Sequence, residues 1–291
     1  VWAAREPRGV RRWLGSFGSE PMQLTSGQLN SLAPVFSPDG KKLFIVGQQL
    51  HGELVRYDQS HHWLPYLSGI SAECVDFSRD RRWVTYVSFP EGALWRSRID
   101  GSERRRLTRP PMQIFHPYWS PDGGQIAFMG ISPGSPTRIY AVSSDGGTPE
   151  PLLKEPHNQQ HPSWSPDGKS LIFGYLNWLE TAPRGIVLLN LRTHRTVALP
   201  GSEGLWEGEW SPDGEYIVAR TLDSHALMLF DVRSQRWAEL VRSDIGWLKW
   251  STDGRYVYFY RIGPEASLMR VRVHDHSVEQ VVPLKDMKNT G

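Results

Sequence analysis

One stretch has the spacing of a serine nucleophile elbow, G-x-S-x-G: Gly130-Ile131-Ser132-Pro133-Gly134. Acyl transfer needs that Ser on a sharp strand-to-helix turn, and the next residue must aim a backbone N–H at the oxyanion. Pro133 has no N–H to give. No helical periodicity follows it, so a plain loop is expected. Metal chemistry has little better footing. H-E-x-x-H is absent, and the one cysteine, Cys74, cannot build a thiolate site or an internal disulfide. His61-His62 and His274-Asp275-His276 are the closest His clusters. On a strand His274 and His276 would face one side, yet so short a motif reads as a solvent-facing edge. The Asp-Gly pairs lack the ligand series of a calcium loop, and no glycine-rich phosphate cradle is present. The expectation is no catalytic residue, no metal and no cofactor.

Four residues stand out by position instead. His116, His161, Glu207 and Trp247 each lie four places before a recurring Ser, as do Ala33 and Cys74. That Ser opens the motif S-P-D-G at Ser37, Ser120, Ser165 and Ser211, with degenerate copies at Ser78 and Ser251. The steps are 41, 42, 45, 46 and 40 residues, the period of a four-stranded propeller blade. Pro presets φ, and Gly accepts a positive φ, so the motif is a hairpin turn. An aromatic residue precedes every Ser: Phe36, Phe77, Trp119, Trp164, Trp210 and Trp250. Six places after the Ser every copy is aliphatic: Leu43, Val84, Ile126, Leu171, Ile217 and Val257. Apolar residues spaced by two beside a turn indicate antiparallel strands. These are the A and B strands of a blade, and a second hairpin supplies C and D.

The expected fold is all-β: a six-bladed β-propeller of four-stranded antiparallel blades over residues 31–291. Residues 1–30 form a partial blade or extra two-stranded ribbon, from a C-like strand at Val1–Glu6 and a D-like strand at Pro21–Thr25. Seven blades, one incomplete, is the alternative. Thirteen Trp in 291 residues suit a fold of many large half-buried side chains. If the S-P-D-G turns share one end, the starts of the A strands ring the channel mouth at the other. There His116, His161, Glu207 and Trp247 meet the loops joining B to C, among them the long segment 174–184 carrying Trp178. Loops on a rigid scaffold commonly carry binding, and His, Glu and aromatic side chains suit a polar ligand or a peptide.

The blade His161-Pro162-Ser163-Trp164-Ser165-Pro166-Asp167-Gly168-Lys169, with its apolar strand and Gly-containing hairpin, resembles the TolB-type repeat. The stretch Phe89–Glu103 is similar to propeller segments of bacterial proteins that join a winged-helix DNA-binding domain to TolB-like repeats. That resemblance implies the sensor region of a larger transcriptional regulator. Similar blades form the accessory propellers of prolyl-oligopeptidase-type hydrolases, the alternative reading. In either case the segment is expected to bind a protein, a peptide or a small ligand at the channel mouth, without catalysis. Charge is close to balanced, with 33 basic against 31 acidic side chains, which gives no general attraction to nucleic acid or membrane. Arg79, Arg81 and Arg82, and Arg104, Arg105, Arg106 and Arg109, sit beside turns or edge strands, where charge deters sheet-to-sheet aggregation. Direct nucleic-acid binding and membrane insertion by this segment are not expected. A start at Val1 suggests a piece of a longer protein, and a bacterial cytoplasm or periplasm fits equally.

Overall fold

The structure is a computed structural model, and it describes residues 2–3, 22–23, 30–48, 50–58, 60–175 and 185–284. The chain divides into two compact units, Val1–His51 and Gly52–Gly291.

In the first unit β1 (Trp2–Ala3) pairs with β2 (Met22–Gln23), and β3 (Asn30–Phe36) pairs with β4 (Leu43–Gln48). The first pair is the N-terminal ribbon; the rest of the expected Val1–Glu6 and Pro21–Thr25 strands lies outside the described residues.

The second unit opens with the hairpin β5 (Val55–Tyr57) and β6 (Trp63–Pro65). Five four-stranded antiparallel blades follow. Blade one is β7 (Ala72–Phe77), β8 (Trp83–Ser88), β9 (Leu94–Arg98) and β10 (Arg105–Arg106). Blade two is β11 (Gln113–Trp119), β12 (Gln125–Ile131), β13 (Arg138–Ser143) and β14 (Glu150–Pro151). Blade three is β15 (Gln159–Trp164), β16 (Ser170–Tyr175), β17 (Ile186–Asn190) and β18 (Thr196–Ala198). Blade four is β19 (Leu205–Trp210), β20 (Tyr216–Thr221), β21 (Ala226–Asp231) and β22 (Arg236–Arg242). Blade five is β23 (Ile245–Trp250), β24 (Tyr256–Arg261), β25 (Ser267–Arg272) and β26 (Val278–Pro283).

Among the described residues the count of four-stranded blades is therefore five, not six or seven. The first repeat has both hairpins, but β3–β4 and β5–β6 each form a two-stranded sheet of their own. The first repeat leaves its apolar positions outside a core, with Val35, Phe36, Phe44 and Val46 61%, 61%, 59% and 57% exposed, so burial does not lock its hairpins into one sheet. Expected to run Glu53–Asp58, β5 has three residues, where the C strands of the five blades have five or six. Few ladder bonds are then available to join a C strand to a B strand.

The S-P-D-G turns fold by one repeated set of bonds. In the Ser165 copy the hydroxyl donates to Asp167 Oδ1 (2.7 Å) and accepts the Ser170 N–H (3.0 Å), while Asp167 Oδ1 accepts the Lys169 N–H (3.0 Å). The Ser211 copy repeats this, and Gly168 and Gly214 take φ of 69° and 81°. In the degenerate copy at Ser78, Arg81 is forced to φ 56° where the others have Gly, a conformation costly for a residue with Cβ.

Behind the turns of the five blades the expected wedge is in place, while Leu43 of the first repeat is only half-buried. Val84, Ile126, Leu171, Ile217 and Val257 are all fully buried, each removal from water stabilising by roughly 1.5–3 kcal/mol. Two of the aromatics before the Ser stitch blades together: Trp164 Nε1 donates to Tyr118 O (3.1 Å) and Trp250 Nε1 to Glu209 O (3.0 Å) of the preceding inner strand. The A strands β7, β11, β15, β19 and β23 pack successively side by side. Lys249 Nζ on β23 reaches Asp76 Oδ1 on β7 at 3.5 Å, so the inner strands of blades one and five also meet across the axis. Among the described residues no helix is long and apolar enough to cross a membrane.

Candidate binding site at the head of the inner strands

Each inner strand carries a β-bulge near its start. The register shifts between Glu73 and Asp76, Phe115 and Tyr118, Gln160 and Ser163, and Trp206 and Glu209. The first residue inside each irregularity is the one four places before the Ser. Cys74, His116, His161 and Glu207 all have positive φ, between 50° and 55°. Fewer than one non-glycine residue in ten adopts this region, so four aligned copies are a built device that re-aims the side chain. In blade five the irregularity falls one residue earlier, on Gly246 and Trp247.

The bulges bring four of the expected mouth residues into one well. The His116 and His161 rings lie 4.3 Å apart by centroid, and Trp247 lies 4.9 Å from His116 and 6.2 Å from His161. His161 Nδ1 is 3.6 Å from Glu207 Oε1. The expected Trp178 lies outside the described residues, as does the side chain of Ala33. Cys74 occupies its bulge but packs against the apolar core of blades one and two.

Two further residues complete the well. Trp206 meets His161 edge-on at 5.7 Å. Arg220 stacks over Trp206 at 4.3 Å and pairs with Glu207 Oε2 at 2.5 Å. Its NH1 also donates to Ile245 O and Gly246 O, both at 2.8 Å. Arg220 is thus a positioning residue tying blade four to the bulge of blade five. The sequence held a signal for it: nine places after each Ser stand Val46, Val87, Met129, Gly174, Arg220 and Tyr260, so Arg220 is the lone charge in a column of apolar, small or aromatic residues.

Burial sets the charges here. It pushes the His116 imidazole down to about 4 and drives His161 well below its usual range, so both rings are neutral at neutral pH. It lifts Glu207 to about 7 against the opposing pull of Arg220. Among the described residues His161 Nδ1 makes no hydrogen bond although the residue is only 6% exposed, and a buried polar atom without a partner is costly unless something supplies one. A pH prediction follows for His116. A His depressed in the folded state stabilises fully above its unfolded pKa near 6.5 and loses that contribution as pH falls toward the folded value. Between about pH 7 and pH 5 the parent chain should lose about 1–2 kcal/mol more stability than His116→Gln, allowing for partial access to water. Urea midpoints at the two pH values measure this, and parallel losses in both chains would refute the assigned burial.

A second row lines the axis one β repeat further along, two places before each Ser: Asp76, Tyr118, Ser163, Glu209 and Lys249. Lys249 Nζ stands 3.5 Å from both Asp76 and Glu209 and 4.2 Å above the Tyr118 ring. This row floors a cavity of about 1200 Å³ at the S-P-D-G end. Lys249 is surrounded by protein yet its side chain keeps half its surface open, because it borders that hollow. The residues flagged for chemistry lie elsewhere. Ser132 sits in the turn after β12, its carbonyl accepting the Ser135 N–H, with no helix following. His274 and His276 are exposed beside the β25–β26 turn, and His61 donates or accepts through Nδ1 with the Tyr57 hydroxyl at 3.0 Å. Of the basic residues, Arg104 spans the Trp95 ring and donates to the Tyr86 hydroxyl (3.0 Å).

The family described as TolB beta propeller domain matches residues 74–289, about three-quarters of the chain. The chain belongs to the TolB β-propeller family. Solved TolB-like structures agree in fold. A putative TolB from Agrobacterium tumefaciens is 19% identical, with TM-score 0.60 over 87% of this chain and 89% of that one. TolB from Acinetobacter baumannii is 18% identical, with TM-score 0.58 over 81% and 67%. An oligogalacturonate lyase from Vibrio parahaemolyticus is 16% identical, with TM-score 0.60 over 85% and 76%. These likenesses give this TolB-family propeller its architecture and no more, since unrelated functions share the fold. No curated relative matches the sequence.

Proposed function

We propose that this TolB-family propeller is a non-catalytic binding module that takes a partner or ligand at the head of its inner strands. The observation that carries the reading is the bulge-built well. Three aligned left-handed residues, His116, His161 and Glu207, together with Trp247 converge aromatic rings, a buried carboxylate and the His161 nitrogen on one point, while Cys74 packs into the core. Side chains held beside loops on a rigid scaffold are where binding concentrates. Membership of a larger regulatory protein rests on the resemblance of the Phe89–Glu103 stretch to winged-helix regulators.

The test is a thermal-shift screen of the full chain with amino acids, dipeptides and oligosaccharides. A compound that binds the folded state raises its melting temperature by mass action. Trp247 is 59% exposed, so Trp247→Ser should fold as the parent does and bind any hit about tenfold more weakly. His116→Ala should weaken it similarly. Hits indifferent to both changes would refute the site, and chemical turnover of a hit would refute the non-catalytic reading.

A further inference from the structure

The rim above the well repeats a feature of its own. Eleven places after each Ser, where strand B ends or the B–C segment begins, the sequence holds Gln48, Phe89, Ile131, Leu176, Leu222 and Ile262, five of them apolar. Solvent-facing loops ordinarily carry polar residues there. Ile131, Leu222 and Ile262 are 37%, 58% and 47% exposed, and the well residue Trp247 joins them at 59%. The loops are held in place. Phe89 N donates to Ser71 O (3.0 Å), Leu222 N to Gly204 O (2.9 Å) and Ile262 N to Asp244 O (2.9 Å). In each case the B–C loop is tied to the segment that leads into its own inner strand. The apolar side chains therefore form a fixed collar.

Charge on the same rim is one-sided. The described B–C and D–A loops of the second unit hold Glu91, Glu155, Glu203, Asp223, Asp244 and Glu265 against Arg109 and Lys154. All but Glu155 are exposed, and neither Glu91 nor Glu203 has a charged partner among the described residues. Over the whole chain, basic side chains slightly outnumber acidic ones, so the six-to-two excess is local to this end. Exposed apolar groups rimmed by charge of one sign mark a protein-binding surface, and complementary potential selects the partner.

We infer that this collar docks a basic, aliphatic-rich peptide segment of a partner protein, its apolar side chains lying on Leu222, Ile262 and Ile131 and its Lys or Arg side chains meeting the rim carboxylates. The inference rests on the reading that the head of the inner strands is the binding end, and adds the chemistry of what binds there. Two features favour a peptide over a small molecule. The collar is spread over several blades, and the rim charges stand outside the well.

The experiment selects short random peptides displayed on phage against the full chain, then measures each enriched peptide by fluorescence polarisation. Enriched peptides should be net positive and contain aliphatic or aromatic residues. Leu222→Ser with Ile262→Ser should weaken them about tenfold or more. Glu91→Gln with Glu265→Gln should weaken them about threefold and flatten the salt dependence, because these charges are solvent-screened. All four residues are exposed, and unchanged urea midpoints will confirm that the variants fold. Enrichment of net-negative or purely polar peptides overturns the inference, as does indifference to the Leu222 and Ile262 changes or no enrichment at all. Acidic peptides that still lose binding in Trp247→Ser would leave the binding end standing and remove only the basic partner. Peptides indifferent to every variant would remove both.

Discussion

Replacing Arg220 with Met is expected to lower the unfolding free energy by about 3–5 kcal/mol at pH 8, the range for breaking a buried ion pair from one side. Arg220 and Glu207 are 8% and 4% exposed, so water cannot take over when the guanidinium goes. Three losses coincide. Glu207 keeps a buried carboxylate without its 2.5 Å partner. The carbonyls of Ile245 and Gly246 lose a shared donor. Trp206 loses the cation over its face. Glu207 already titrates near 7 because burial resists its charge. Without Arg220 its pKa rises further, and a carboxylate raised in the folded state stabilises at low pH and loses that contribution as pH rises through the folded value. The deficit of Arg220→Met should therefore shrink on acidification to about pH 5. Adding Glu207→Gln should recover roughly half of it by removing the stranded charge. Arg220→Lys should fall between, since one ammonium cannot serve Glu207 and two carbonyls in the geometry of the fork. Urea unfolding of the four chains decides the matter, and a loss below about 1 kcal/mol for Arg220→Met would refute the clamp.

The second large effect is expected at Lys249. Burial works against its charge, but Glu209 and Asp76 overcome that and hold the ammonium above its usual range. Lys249→Met leaves those two carboxylates facing one another across the axis, with Glu209 only 5% exposed and its pKa raised by burial. Because Lys249 itself is half open to the cavity and both contacts are 3.5 Å, the loss is discounted to about 2–3 kcal/mol at pH 8. The sign is fixed by the same linkage. Removing the ammonium raises the folded pKa of Glu209 further, so the deficit is full above that pKa and fades toward about pH 5 as the proton goes on. Lys249→Met/Glu209→Gln should restore part of the stability. A deficit independent of pH would show that Lys249 acts through packing alone.

Much of the architecture was legible in the sequence because the turn is chemically demanding. Ser, Asp and Gly at fixed offsets are each required by a particular bond or φ, so the turns could be counted and their flanking wedges aligned. The number of blades was not legible from the same motif. Phe36 and Leu43 stand at the right offsets, but whether β4 finds a C strand depends on how many residues of 53–58 pair, and Val55–Tyr57 is all that does. The well was half legible. Position alone pointed to His116, His161, Glu207 and Trp247. The bulges that make those positions converge leave only a weak mark in the sequence: His is enriched at positive φ, but Cys74 and Glu207 take the same conformation with no such preference. Arg220 is a lone charge in a column of apolar, small or aromatic residues, whereas the column of Lys249 also holds Asp76 and Glu209, so its pairing across the axis is not marked by residue type.

One property of the bulges reaches beyond this chain. Their backbone bends alike whether the residue is a thiol, an imidazole or a carboxylate, as Cys74, His116, His161 and Glu207 demonstrate side by side. Local geometry is therefore decoupled from side-chain identity at these four positions. A scaffold with interchangeable sockets of this kind can acquire a new specificity through point changes there while its turns and wedges stay as they are.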